Sequence, residues 1–73
     1  MEMKPVNSSN LTAVGYDEAK KLLKVAFKDG SIYTYEEVPK ALYDGLLAAE
    51  SQGKFFNIQI RTKGFKYTSF RPS

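Results

Sequence analysis

Leu22-Leu23-Lys24-Val25-Ala26-Phe27-Lys28-Asp29-Gly30-Ser31-Ile32-Tyr33-Thr34-Tyr35 decides how this chain folds. Leu23, Val25 and Phe27 alternate with Lys24, Ala26 and Lys28, the period-2 pattern of a half-buried strand. Asp29-Gly30 is a strong hairpin signal. Two registers are open. With a two-residue turn, Phe27 pairs with Ile32, and Tyr33 and Tyr35 lie outside, beside Ala26 and Lys24. With a three-residue Lys28-Asp29-Gly30 loop and a bulge at Gly30, the register slips by one residue. Both tyrosines then join Leu23, Val25 and Phe27 on the core face. Lys at the first loop position and Gly at the third suit the bulged loop. One further buried aromatic is worth about 2 kcal/mol, so we favour that register.

On the N-terminal side, residues 1–9 read as a polar arm or loop. Leu11-Thr12-Ala13-Val14-Gly15-Tyr16 reads as a strand, with Gly15 marking a bulge or a close backbone approach. Asp17-Glu18-Ala19-Lys20 is too short to join anything but antiparallel neighbours. After the hairpin, Pro39 suits a helix start, and Leu42, Tyr43, Leu46, Leu47 and Ala49 make an apolar stripe over about Lys40 to Glu50. Ser51-Gln52-Gly53 ends this helix, with Gly53 just past its cap. Lys54 to Arg61 fits either a strand, by alternation of Phe56, Ile58 and Ile60, or a short helix capped by Ser51. Phe65 to Phe70 reads as a last strand, and residues 71–73 as a loose tail. The order βββα(α)β predicts an α+β fold: one domain over residues 1–73, about four antiparallel strands, and one or two helices on one side.

At 73 residues the chain has a thin stability margin, and it holds neither Cys nor His to reinforce it. Five Phe and five Tyr supply the bulk of the core material. Phe27, Phe55, Phe56 and several tyrosines are therefore expected near its centre. The missing thiols and imidazoles also remove zinc sites and the common nucleophile–base pairs. Asp17-Glu18 and Glu36-Glu37 are adjacent pairs, which a strand points to opposite faces. No phosphate-binding glycine loop occurs. We expect no enzyme, no cofactor and no metal site. No apolar run approaches the ~20 residues of a membrane span, and no signal-peptide stretch opens the chain. A cytoplasmic address with no membrane partner follows; a monomer is the default, and an unpaired strand edge is the feature that would support a dimer.

Charge is the remaining clue. Residues 1–50 carry six basic and eight acidic side chains, whereas residues 51–73 carry five basic ones and no acid. Such asymmetry points to an anionic partner. Lys54, Arg61, Lys63, Lys66 and Arg71 are the candidate phosphate contacts. Tyr33, Tyr35 and Tyr67 are the candidate stacking rings, and Asn57 a candidate for a base edge. For each ring taken alone, core packing is the more economical role in so small a domain.

Several segments together resemble the KTSC domain. They are Ser8-Ser9-Asn10-Leu11, Ala13-Val14-Gly15-Tyr16-Asp17, Leu23-Lys24-Val25-Ala26-Phe27, Tyr33-Thr34-Tyr35, Val38-Pro39, Ser51-Gln52-Gly53-Lys54-Phe55-Phe56-Asn57 and Ile60-Arg61. The family takes its name from the C-terminus of certain lysyl-tRNA synthetases and includes free-standing bacterial and phage proteins. The resemblance implies a stand-alone single-domain member, and it tips residues 54–61 toward helix. It also implies, by analogy with the synthetases, RNA or single-stranded nucleic acid as partner. Relatives tend to end in consecutive arginines after an aromatic-x-aromatic, whereas here Phe65-Lys66-Tyr67 leads to Thr68-Ser69-Phe70 before Arg71. The alternative is a protein-interaction module of phage, prophage or host-regulatory type, meeting a host or synthetase protein with Tyr and Arg as anchors.

Overall fold

The computed structural model describes residues 3–6, 8 and 10–70. The hairpin adopts the bulged register. Strands β3 (Leu22–Phe27) and β4 (Ile32–Tyr35) pair Val25 with Tyr33 and Leu23 with Tyr35. The Phe27 amide donates to the Ser31 carbonyl at 2.9 Å, and the Gly30 amide returns to the Phe27 carbonyl at 3.0 Å. Gly30 takes φ +94°, the left-handed region that favours glycine. The Asp29 carboxylate completes the loop by accepting the Ser31 amide at 2.9 Å and the Ser31 hydroxyl. The two tyrosines therefore share a face with the aliphatic core.

Three further strands extend this pair into an antiparallel sheet in chain order, β1-β2-β3-β4-β5. They are β1 (Met3–Pro5), β2 (Leu11–Asp17) and β5 (Tyr67–Phe70). Strand β1 corrects the reading of the N-terminal arm. It pairs Met3, Lys4 and Pro5 with Gly15, Val14 and Ala13. Three residues that include a proline carry little strand signal, and an edge position tolerates Pro because no inner ladder bond is lost. The bulge in β2 lies between Leu11 and Ala13 rather than at Gly15, which keeps regular pairing with Lys24. The short β2–β3 connection is pinned by the Asp17 carboxylate, which accepts the amides of Ala19 and Lys20 at 3.1 and 3.3 Å.

Between β4 and β5 come helix α1 (Lys40–Ala48), helix α2 (Gln52–Gln59) and a single 3-10 turn, Arg61–Lys63. Residues 54–61 are thus mainly helical, not a strand. Helix α1 stops before the expected Glu50, because Ala49 turns to an extended ψ of 141°. Gly53 then falls inside the first turn of α2 instead of capping α1. The helices cover one face of the sheet. Tyr16 stacks on Tyr43 with ring centroids 5.2 Å apart and donates its hydroxyl to the Val38 carbonyl, which ties β2 to the start of α1.

The largest fully buried side chains are aliphatic, and the aromatic expectation holds for Phe56, Tyr35 and Tyr43 but not for Phe27 and Phe55. The aliphatic ones are Leu11, Val14, Leu23, Val25, Val38, Leu46 and Ile60. Phe56, Tyr35 and Tyr43 are buried around them, while Phe27, Phe55, Phe65 and Tyr33 pack on the margin. Aliphatic side chains suit a sheet–helix gap because they interdigitate at close packing. Phe27, Phe56, Tyr33, Tyr35 and Tyr67 collect at one end, apart from the Tyr16–Tyr43 pair. No helix among the described residues is long and apolar enough to cross a membrane.

Candidate nucleic-acid interface

The aromatic end of the core opens to the surface where β4 meets α2. Tyr33 stands over Phe27 at 5.3 Å in an edge-to-face contact and beside Tyr35 at 6.2 Å, nearly parallel. Phe56, from α2, meets Phe27 and Tyr35 edge-on at 5.6 and 5.5 Å. Tyr67, from β5, leans on both Tyr33 (5.6 Å) and Tyr35 (5.3 Å). Such geometries add about 0.5–1.5 kcal/mol per pair beyond area burial. The cluster is therefore stiff. Exposure grades across it: Tyr35 is buried, Tyr33 half-buried, and Tyr67 56% exposed. Core packing thus holds for Tyr35 and fails for Tyr67, which sits on the edge strand with no element over it.

Two adjoining hollows lie over this cluster. The smaller, about 130 Å³, is walled by Phe27, Tyr33, Tyr35, Phe56 and Arg61, with Asp29 and Ser31 as its polar part. The larger, about 290 Å³, shares Phe27, Asp29, Phe56 and Arg61 and adds Asn10, Lys28 and Asn57. Arg61 thus borders both. The last turn of α2 and the 3-10 turn after it place Arg61 one helical turn beyond Asn57, whose side-chain oxygen accepts from its guanidinium at 3.5 Å. Burial pushes the Tyr35 phenol above its ordinary value, Tyr33 pushes the same way, and the Arg61 charge pulls it down. The guanidinium is therefore within electrostatic reach of Tyr35.

The fold brings Arg61, Asn57, Tyr33, Tyr35 and Tyr67 together. It separates the other predicted cations. Lys63 and Lys66 line a different hollow with Glu36, Glu37 and Phe65. Lys54 borders a third, formed by α2 and the turn that precedes it, with Glu50, Phe55 and Ile58. Arg71 and the tail lie outside the described residues. Asn10, Phe27, Lys28, Asp29, Ser31 and Phe56 were not singled out as site residues in the sequence. Lys28 and Asp29 read there as turn chemistry and the two Phe as core. Only the Ser8-x-Asn10 motif hinted at Asn10, whose turn is shaped by the Ser8 hydroxyl accepting the Asn10 and Leu11 amides at 3.3 and 3.4 Å.

A family model, the KTSC domain, matches residues 7–65. The chain belongs to the KTSC domain family. The crystal structure of a KTSC domain protein from Yersinia pestis superposes with a TM-score of 0.80 at 32% identity, over 99% of this chain and 97% of that one. A Tsukamurella paurometabola protein is 51% identical over 55 residues, 75% of this chain and 82% of the relative. An uncharacterized protein of Stutzerimonas stutzeri is 36% identical over 67 residues, 92% of this chain and 94% of the relative. In this KTSC domain, separate segments of the family resemblance converge on the groove: Asn10-Leu11, Phe27, Tyr33 with Tyr35, Phe56-Asn57 and Arg61.

Proposed function

We propose that this KTSC domain is a non-enzymatic cytoplasmic module that binds RNA or single-stranded nucleic acid. The observation that carries the reading is the place of Arg61 between two adjoining hollows, one lined by Asn57 and the other by Tyr33 and Tyr35, with the exposed Tyr67 packed on those two rings. An exposed ring offers a stacking surface to an unpaired base, worth roughly 1–3 kcal/mol. Arg61 supplies phosphate attraction or a planar stack, and Asn57 a donor and acceptor for a base edge. Tyr67 is the ring available for stacking, and Tyr35 holds it from below.

Anisotropy of a labelled single-stranded RNA against the native protein at low salt tests the reading. Binding is expected, weakened about tenfold or more by Tyr67→Ala or by Arg61→Ala. No binding at low salt sinks it. A protein-interaction reading has one observation of its own, the edge strand β5 with Tyr67 and Phe70 more than half exposed. Such an edge can accept a partner strand. Association with a protein that ignores both nuclease and salt would favour that reading.

A further inference from the structure

The two edges of the sheet are built differently. Strand β1 is three residues long, and Lys4 and Pro5 are residues that blunt an edge against further pairing. Strand β5, Tyr67-Thr68-Ser69-Phe70, carries no charge and no proline, and all four residues are exposed. Tyr, Thr and Phe are strong strand formers. No strand among the described residues lies beyond it. An uncharged, unblunted edge of this kind is a template for another strand.

The ladder fixes which backbone groups look outward. Antiparallel partners alternate between pairs that exchange hydrogen bonds and pairs that do not. Strand β4 sets Thr34 opposite Thr68 and Ile32 opposite Phe70, and the Glu36 amide donates to the Lys66 carbonyl in the same register. Lys66, Thr68 and Phe70 therefore turn their amides and carbonyls toward β4. Tyr67 and Ser69 turn theirs away from the sheet.

We propose that β5 pairs antiparallel with β5 of a second copy of this chain, about a twofold axis at Thr68. Tyr67 then lies opposite Ser69 of the second copy, and Ser69 opposite its Tyr67. Their outward groups form two reciprocal pairs, each exchanging both N–H···O bonds. Sliding the register by two residues either way leaves one such pair within the strand. The side chains agree with this register. On the helix face Tyr67 leans on its own Tyr33 and Tyr35, and the small Ser69 opposite leaves its ring unobstructed. The two Tyr67 rings become diagonal neighbours across the axis, about 7–8 Å apart, which aromatic side chains can span. On the other face Thr68 meets Thr68, a favourable cross-strand pair. Lys66 meets Phe70 rather than a second lysine, and its stem covers a ring that is 61% exposed in the single chain. An unrelated strand would have to supply this alternation of ring, small residue and cation; a second copy already carries it. Pairing at β5 does not depend on what the groove binds.

A strand contact this short belongs to the small, transient class of interface, below about 1,200 Å². The dimer should therefore grow with concentration, and sedimentation equilibrium of the nuclease-treated native full chain reads it. The molar mass is expected to climb from 8.2 kDa toward twice that value. A mass that stays at 8.2 kDa up to about 1 mM chain overturns the proposal. Ser69→Pro removes an outward amide that β4 does not use, a place where an edge strand tolerates proline. The axis doubles the loss, so the dimer should weaken roughly tenfold or more. Thr68→Lys, at an exposed position, sets two lysines face to face on the axis and should weaken it as well. A dimer indifferent to both variants lies elsewhere on the surface and overturns the proposal. Thr68→Cys gives the chain its only thiol. Non-bonded antiparallel partners hold their Cα atoms about 4.5 Å apart, within disulfide range. Under mild oxidant this variant should cross-link about tenfold faster than Lys4→Cys on the other edge. Equal rates overturn the pairing at Thr68.

Discussion

Tyr35 carries two duties, and its ionisation separates them. Its ring is 3% exposed in the core, and it also supports Tyr67. Burial, reinforced by Tyr33, raises its phenol above the ordinary 10.0 despite the pull of Arg61. The Tyr16 phenol is raised too, first by burial and then by Glu18. A raised phenol favours the protonated form in the folded state. The folded chain then binds more protons than the unfolded chain once pH passes the ordinary value, so stability falls with rising pH. Below 10.0 the contribution of each is complete; it drains away as pH climbs toward the folded-state value. Urea midpoints measured upward from pH 10 should therefore decline, and decline less steeply in Tyr35→Phe, which has no proton to lose. Lysine titration affects both proteins alike and cancels in the comparison. Identical slopes would show that the buried phenol does not contribute. That Tyr35 is core while Tyr67 is surface was only half legible in the sequence. Alternation with the bulged loop put Tyr35 on the core face, but nothing local says that β5, which carries Tyr67, is an edge strand with no helix over it.

Helix α1 ends early for a reason visible only in three dimensions. Lys40 to Glu50 reads as one continuous amphipathic pattern, yet the chain turns at Ala49 and α2 folds back onto α1. Phe55 drives the contact. A Cβ placed on Gly45 would lie 2.8 Å from its ring Cζ and 3.3 Å from Cε2. In an isolated helix, alanine there would gain about 1 kcal/mol. Here Phe55 must give way, and displacing a packed ring costs about 1–3 kcal/mol. Gly45→Ala should thus destabilise the domain by about 1 kcal/mol. The same substitution made in a Phe55→Ala background should stabilise it by about the same amount, since only propensity remains. Denaturant unfolding of the four proteins in this cycle gives both signs, and a gain in both backgrounds would exclude Phe55 as the reason for glycine. By contrast, the β3–β4 hairpin was legible because its register is set locally, by a Lys-Asp-Gly loop and one alternating strand. Strand β1 was not, since its pairing to β2 is long-range and its three residues have no pattern of their own.

Across the molecule, the tail charge is real but does not act as a block. The sequence placed five cations after residue 50 without an acid among them. The fold returns acidic neighbours to the four described: Lys54 shares a hollow with Glu50, Arg61 borders both groove hollows with Asp29, and Lys63 and Lys66 share a hollow with Glu36 and Glu37, residues that leave β4 just where β5 docks. The Glu36 amide donates to the Lys66 carbonyl at 2.8 Å, which holds these segments together. Composition sees the charges and not this pairing of chain segments. Among the described residues of the set, Arg61 is the one that reaches the rings, and Lys28 joins it from the hairpin loop. Few phosphates are then engaged, and the salt dependence of RNA binding should be shallow. Each phosphate contact on a single strand adds about −0.7 to the slope of log K against log salt. With Arg61 and Lys28 in contact, a slope of about −1.4 is expected, against roughly −3.5 if all five tail cations engaged. Arg61→Gln should lower its magnitude by about 0.7. If RNA lies in the proposed groove, a Lys63→Gln, Lys66→Gln double variant should leave the slope unchanged, because those two lysines line a different hollow. A steep native slope that the double variant reduces would move the binding face from the β4–α2 groove to the junction of β4 and β5.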